Sequence, residues 1–141
     1  MSTELRIEIE APNPADMNTV AMQLAAYNAS KAGGEMPNYL FIAARDEAGA
    51  IKGGVVGGTY LGWLSIQVFT LDESLRGQGH GARMMRVAED EAVRRGCPRV
   101  FLETLSFQAL PFYEKMGYEM HSRLDGFPFP GGTRYALTKM L

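Results

Sequence analysis

The sequence predicts one domain of mixed α and β structure, and three observations support this class. Its 141 residues fall within the usual size of a single domain. Segments in which apolar residues alternate with polar ones are interspersed with segments at helical spacing. Glycine and proline mark the ends of these segments, and no linker or repeat separates them.

A strand and a helix are predicted first. The strand has apolar residues at alternate positions: Leu5, Ile7 and Ile9. This alternation predicts a half-buried strand. Asn13 can then cap a helix that begins at Pro14, because proline is well suited to the first helical position. Apolar residues follow at helical spacing to about Ala32, where Gly33 and Gly34 predict the end of the helix.

An antiparallel meander of three strands is predicted between residues 39 and 71. The segment 39–43 is almost entirely apolar, and a turn follows at residues 46–49. The next two strands are predicted at Ile51–Tyr60 and Trp63–Leu71. The first of these contains four glycines: Gly53, Gly54, Gly57 and Gly58. Such a density of glycine predicts bulges or a close approach of backbones.

The remaining elements alternate between helix and strand. Residues 79–95 place apolar side chains on one stripe, which predicts an amphipathic helix. A short apolar strand follows over residues 99–104, and Pro111 can open a helix that ends before Gly117. Two final strands are predicted over residues 118–124 and 135–140.

Composition excludes several functional classes. Fourteen Lys+Arg and sixteen Asp+Glu give a formal net charge of -2, so no basic field favours nucleic acid or an anionic membrane surface as a partner. No apolar run approaches the roughly 18–20 residues of a membrane span. The single cysteine, Cys97, cannot form an internal disulfide, which predicts a reducing compartment and hence a cytoplasmic protein.

A glycine-rich segment joins the third meander strand to the next helix. Gly77, Gly79 and Gly81 alternate there, so the backbone can present several N–H groups beside a helix N-terminus. This pattern is compatible with a site for an anion such as a diphosphate, and equally with a strand-to-helix turn that binds nothing. The spacing matches neither a P-loop nor the dinucleotide-binding fingerprint.

Two segments resemble the GNAT N-acetyltransferase family. Residues 76–81, Arg-Gly-Gln-Gly-His-Gly, are similar to that family's Gln/Arg-x-x-Gly-x-Gly/Ala loop, which binds the acetyl-CoA pyrophosphate. Residues 106–118, Ser-Phe-Gln-Ala-Leu-Pro-Phe-Tyr-Glu-Lys-Met-Gly-Tyr, resemble its Asn-x-x-Ala-x-x-Phe-Tyr-x-x-x-Gly-Phe segment. The order of elements also agrees over nearly the whole chain, as in small bacterial single-domain members.

The resemblance implies a fold and a cofactor site. The fold is a mixed, mostly antiparallel sheet of about six to seven strands with about four helices, in which a splayed strand pair holds acetyl-CoA. No metal is required. The implied cofactor contacts are Phe69, Thr70, Leu71, Arg76, Gly77, Gln78, Gly79, His80, Gly81, Ala82, Arg83, Ser106 and Gln108. Arg83 is equally compatible with a surface position. Ser106 stands where many members have asparagine, and Gln108 is an alternative source of the amide.

The resemblance also implies transfer of acetyl from acetyl-CoA to a primary amine by direct attack on the thioester. Tyr113 is the candidate general acid, with core packing as the alternative role. Glu103 is the first candidate for the base, acting through water, and a solvated glutamate at a strand end is the alternative. A non-catalytic CoA-binding regulatory module on the same fold is the competing function.

By resemblance to the fold, the acceptor, a small-molecule or peptide amine, is expected to bind between the first helix with its following loop and the loop at residues 125–134. Phe127 and Phe129 could form an apolar wall there. Glu35 could attract a cationic acceptor and Arg134 an anionic one, so the sign of the acceptor's charge stays open. A homodimer is a further expectation from the resemblance.

Overall fold

The computed structural model describes residues 4–141 and contains one six-stranded sheet and three α-helices. The elements in chain order are α1 (Pro14–Ala32), β1 (Asn38–Arg45), β2 (Ile51–Tyr60), β3 (Trp63–Leu71), a 3-10 turn (Glu73–Leu75), α2 (His80–Arg94), β4 (Arg99–Leu105), α3 (Leu110–Lys115), β5 (Glu119–Asp125) and β6 (Thr133–Met140). The chain divides into two compact units, Met1–Met36 and Pro37–Leu141. The second unit carries all six strands. None of the described helices is long and apolar enough to cross a membrane.

The predicted N-terminal helix is confirmed, whereas the predicted strand before it is wrong. The Asn13 side chain accepts a hydrogen bond from the Asp16 N–H at 3.1 Å, and Gly33 ends α1 with a positive φ of 100°. Residues 4–13, which include the alternating Leu5, Ile7 and Ile9, form neither helix nor strand. Alternation shows only that two faces of a segment differ in polarity. A strand also needs a neighbouring strand to pair with, and within the described residues the sheet consists of the six strands β1 to β6 alone.

The sheet has the strand order β1-β2-β3-β4-β6-β5. The predicted meander β1-β2-β3 is antiparallel, β3 and β4 run parallel, and β4-β6-β5 is antiparallel again. Helix α2 packs on one face of the meander. Its buried Met85, Ala88 and Ala92 share the hydrophobic core with Leu40 of β1 and Val55 of β2. The apolar stripe predicted for this helix is therefore its core face.

A bulge in β3 makes the sheet divide. Val56 of β2 pairs with Val68, but the next residue, Gly57, pairs with Ile66, so Gln67 is an extra residue on β3. Parallel pairing with β4 ends at the same place, with Ile66 opposite Leu102. Because a bulge bends and twists its strand, β3 and β4 diverge beyond this point. The splayed strand pair that the family resemblance implied is thus present.

The backbone approach predicted from glycine is tightest at Gly57. A Cβ atom there would overlap the carbonyl oxygen of Ser65 and lie 3.2 Å from the Cα of Ile66, next to the bulge. We expect Gly57→Ala to lower the free energy of unfolding by roughly 1–3 kcal/mol, the usual cost of overpacking. Gly58→Ala is the matched control, since its Cβ would lie 3.1 Å from the Asn38 oxygen. Equal urea midpoints for the two variants would contradict this expectation.

A buried polar network fixes α2 to the other half of the sheet. The carboxylate of Glu89 accepts a hydrogen bond from the Tyr118 hydroxyl at 2.7 Å. Lys139 Nζ on β6 donates to both oxygens of Glu89, at 3.0 and 3.2 Å, and lies 5.4 Å from the centroid of the Tyr118 ring. The side chain of Glu89 is only 10% exposed and that of Lys139 is 21% exposed. This network stabilises the orientation of α2 from the side away from the bulge.

Candidate active site

The divergence of β3 from β4 opens a cleft of about 810 Å³ within the second unit. Its lining combines the bulged half of β3, the start of α2, the end of β4 and helix α3. The predicted site residues that line it are Phe69, Thr70, Leu71, Arg76, Gly77, Gly79, Gly81, Ala82, Glu103, Gln108 and Tyr113. The other predicted residues, Gln78, His80, Arg83 and Ser106, lie outside this lining. The sequence analysis assigned no role to Phe107 or Phe112. Both line the cleft, and both lie in the segment 106–118 that resembles the family motif.

The glycine-rich loop presents a row of free backbone donors at one end of the cleft. Gly77 and Gly79 have φ values of 77° and 84°, a conformation that glycine adopts without strain. The first hydrogen bond of α2 runs from the Arg83 N–H to the Gly79 oxygen at 3.1 Å. Within residues 4–141, no hydrogen bond engages the five preceding N–H groups, those of Gln78, Gly79, His80, Gly81 and Ala82. Together with the positive end of the helix dipole, they form a site for an anion.

Two polar side chains of the loop donate hydrogen bonds to nearby backbone carbonyl groups. Arg76 Nε donates to the carbonyl oxygen of Leu71 at 3.0 Å, which ties the loop to the end of β3. Gln78 Nε2 donates to the Ser74 oxygen at 3.2 Å. The Gln78 side chain is therefore engaged within the loop, whereas its backbone N–H makes no hydrogen bond to residues 4–141. Arg83 is exposed on α2, which agrees with the surface position that the sequence analysis gave as its alternative.

Tyr113 lies in an aromatic cluster at the floor of the cleft. Phe69 stacks on Phe112 with ring centroids 5.8 Å apart, and Tyr113 makes edge contacts with both, at 6.2 and 5.2 Å. Tyr113 is 5% exposed, and its hydroxyl makes no hydrogen bond to the described part of the chain. Burial raises the pKa of the Tyr113 hydroxyl to about 12. This phenol therefore stays protonated, and a donor, over the whole neutral and mildly alkaline range.

Glu103 lies on β4 one residue beyond the end of the parallel pairing, and it forms an ion pair with Arg134 of β6. Arg134 Nη2 donates to Oε1 of Glu103 at 2.7 Å, and Arg134 Nε contacts Oε2. Both side chains are 35% exposed. The guanidinium also lies over the ring of Phe127, 5.0 Å from its centroid. Sequence reasoning had named both residues for different roles, but it had not paired them.

Ser106 and Gln108 have structural partners next to the cleft. Ser106 Oγ accepts a hydrogen bond from the Thr133 N–H at 3.1 Å, so it joins the end of β4 to the start of β6. Gln108 Oε1 accepts from the Leu105 N–H at 2.7 Å. The Gln108 NH₂ group has no partner among the residues that the structure describes, and it is available to a ligand. Of Ser106 and Gln108, the geometry therefore favours Gln108 as the residue that contacts a ligand.

No group of three or more His, Cys, Asp or Glu side chains within residues 4–141 is placed to hold a metal ion. The described lining itself offers backbone donors, the neutral Tyr113 phenol and the Glu103 carboxylate, which is paired with Arg134. These groups suit the binding of an anion at the loop and acid–base steps at the floor.

Comparison with known proteins assigns the chain to a family. The model of the acetyltransferase (GNAT) family matches residues 7–118, and the chain is a member of this family. It is 37% identical over 95 residues to an acetyltransferase of Agrobacterium fabrum, covering 67% of this chain and 69% of that protein. It is 36% identical over 96 residues to the blasticidin-S acetyltransferase of Streptomyces morookaense, covering 67% and 70% of the two chains.

A solved structure supports the same assignment. The crystal structure of a proposed acetyltransferase from Agrobacterium tumefaciens superimposes with a TM-score of 0.85 at 29% identity, covering 98% of this chain and all of the other. The protein is thus an acyltransferase of the GNAT family, which uses acetyl-CoA.

Proposed function

We propose that the protein transfers the acetyl group of acetyl-CoA to a primary amine. One observation carries this proposal: two sets of backbone groups that make no hydrogen bonds lie next to each other in the cleft. The five free N–H groups from Gln78 to Ala82 adjoin the stretch of β3 after Ile66 that has no partner on the β4 side within the described residues. A ligand with an anionic end and a peptide-like arm would satisfy both sets.

Coenzyme A has this form. Its diphosphate would accept hydrogen bonds from the loop N–H groups, and the unbonded Nη groups of Arg76 would add positive charge. The pantetheine arm would lie along residues 67–71, where its amides can bond to the free edge of β3 as a neighbouring strand would. This placement directs the thioester toward the floor of the cleft, where Tyr113 lies.

The chemistry follows from what surrounds the thioester. The amine nitrogen attacks the acetyl carbonyl carbon, a C–N bond forms, and the C–S bond breaks with release of thiolate. An N–H of β3 near Leu71 would polarise the carbonyl oxygen. The Tyr113 phenol, protonated because its pKa lies near 12, would donate its proton to the departing sulfur. The proton that the attacking nitrogen loses as the amide forms would pass to water, and water would restore the phenol. Each of these protein groups belongs to the lining of the cleft.

The ammonium form of the acceptor must lose a proton before it attacks. Glu103 is the only carboxylate among the described lining residues. Since Arg134 engages both of its oxygens, we assign it proton transfer through an intervening water rather than direct contact. A small-molecule amine is the acceptor class that the relative named for blasticidin S supports, and blasticidin S belongs in the first substrate panel.

Calorimetric titration with CoA, followed by a thiol-release assay with acetyl-CoA and an amine panel, tests the proposal. We expect saturable CoA binding and acetylation of at least one amine. Gly79→Val should weaken CoA binding by roughly tenfold or more, because a side chain at this positive-φ residue distorts the row of donors. The matched control is Gly49→Val, which has a similar φ of 85° in the turn between β1 and β2.

Two outcomes would contradict the proposal. Absence of saturable CoA binding at millimolar concentration would remove the cofactor assignment. Tight CoA binding without acetyl transfer to any amine would favour the non-catalytic module instead.

A further inference from the structure

We infer that the acceptor is an amine that also carries a carboxylate, and that Arg134 selects it. This inference rests on the proposed function and concerns the specificity of the same cleft. The observation behind it is the Glu103–Arg134 ion pair, which sets one negative and one positive side chain side by side. Glu103 belongs to the lining of the cleft proposed for acetyl-CoA, and Arg134 adjoins it.

The sheet register brings these two side chains together. Glu103 of β4 pairs directly with Ala136, and Arg134 stands two residues earlier on β6. Glu103 and Arg134 are therefore diagonal neighbours on one face of the sheet, close enough for long side chains to meet. Glu103 lies just beyond the last β3–β4 pair, so the ion pair borders the opening of the cleft.

The surroundings of Arg134 hold its guanidinium in place. The group stacks over Phe127 at 5.0 Å, and the loop that carries Phe127 is closed by a hydrogen bond from the Gly126 N–H to the Gly132 oxygen at 2.9 Å. Phe129 of the same loop stacks on Phe107 of the cleft lining, with centroids 6.2 Å apart. A guanidinium fixed in this way loses little further freedom when it binds an anion.

Both members of the pair keep unused hydrogen-bonding capacity. Arg134 Nη1 has no partner among the described residues, and each Glu103 oxygen accepts only one hydrogen bond. A carboxylate can accept about four. The two side chains are 35% exposed, so an acceptor can reach them.

Charge balance determines which acceptor fits. An ammonium group beside Glu103 would also lie near the Arg134 cation, whose repulsion opposes binding of a simple amine or a diamine. A carboxylate on the same acceptor, placed at Nη1 of Arg134, compensates that repulsion and completes an array of alternating charges. The cleft therefore favours a zwitterionic acceptor over an acceptor with positive charge alone.

The experiment compares ω-amino carboxylates of graded chain length with n-alkylamines and diamines of the same lengths, using chains long enough that the second group no longer changes the basicity of the amine. We expect kcat/KM to be about tenfold higher or more for at least one carboxylate-bearing length. Arg134→Gln should lower kcat/KM for that acceptor by roughly 10- to 100-fold, the value of a hydrogen bond to a charged group, and should raise kcat/KM for alkylamines, because it removes the cation that repels them. The loss should fall mainly on KM.

Arg123→Gln is the matched control, because Arg123 also forms an ion pair, with Asp125, and also lies over an aromatic ring, that of Tyr135. It should preserve the carboxylate preference. Arg134→Lys is a second variant: lysine keeps the charge and should restore part of the preference. CoA affinity and melting temperature, measured on every variant, distinguish loss of acceptor recognition from loss of folding.

Two results would overturn the inference in different ways. Acetylation of amines with no preference for a carboxylate, or an equal loss on all acceptors in Arg134→Gln, overturns the inference and leaves the proposed function intact. Acetylation of no amine by the wild-type protein overturns the proposed function and the inference together.

Discussion

Replacing Tyr113 with phenylalanine should lower turnover by roughly 10²–10⁴-fold, the usual contribution of a general acid. The substitution keeps the ring and its contacts with Phe69 and Phe112. Since the hydroxyl makes no hydrogen bond to residues 4–141, its removal should barely change the melting temperature or the affinity for CoA. The measurement is kcat with a saturating acceptor, at a pH where the amine is largely free.

Tyr118→Phe is the control for this experiment, because Tyr118 contacts the Tyr113 ring at 5.9 Å but donates its hydroxyl to Glu89. It should lose about 1–3 kcal/mol of stability and retain turnover. The pH profile gives a second check. A phenol whose pKa is about 12 remains protonated through pH 10, so no alkaline loss of kcat near pH 10 should depend on Tyr113. Unchanged turnover in Tyr113→Phe would transfer the acid role to water or another donor.

The second large effect is expected at Glu89, which does not line the cleft. Glu89→Ala would leave Lys139 without its carboxylate partner and the Tyr118 hydroxyl without its acceptor. Breaking a buried ion pair in this way costs about 3–5 kcal/mol, and the partial exposure of Lys139 places the expected loss near 3 kcal/mol. Urea unfolding monitored by circular dichroism measures it.

Glu91→Ala provides the comparison on the same helix. Glu91 also forms ion pairs, with Arg94, whose side chain is 71% exposed, and with Arg95, whose side chain is 17% exposed. Since the Glu91 side chain is 28% exposed and that of Glu89 is 10% exposed, the expected loss is smaller than in Glu89→Ala. If the two variants lost the same free energy, the buried network would contribute no more than the more exposed pairs of Glu91.

Local signals in the sequence were sufficient for most of the second unit. The apolar stripe of α2, the glycines of the loop and the apolar segment at residues 39–43 each depend on residues within one turn or one strand, so they could be found without knowing the fold. Positive φ at Gly77 and Gly79 is a property that the sequence indicates directly. The strand predicted around Ile7 failed because a strand depends on a partner, which a local pattern does not specify.

The unpredicted features of the site depend on long-range register. Arg134 and Glu103 are 31 residues apart in sequence, and Lys139 and Glu89 are 50 apart. Their pairing follows from the alignment of β6 with β4 and of α2 with the sheet, which no single segment encodes. The family motif located Tyr113, but its unbonded hydroxyl could be seen only in the structure. Homodimerisation and a cytoplasmic location remain predictions.

The bulge at Gln67 also has a mechanical consequence. Trp63–Ile66 and Arg99–Leu102 form the only β-ladder between the two three-stranded halves of the described sheet. Each half is stiff because its strands are paired along most of their length, whereas the junction between the halves is short and more compliant. A molecule bound across the cleft between β3 and β4 would contact both halves and restrict their relative motion. Hydrogen exchange at β3 and β4 should therefore slow on CoA binding much more than exchange at β1 and β2.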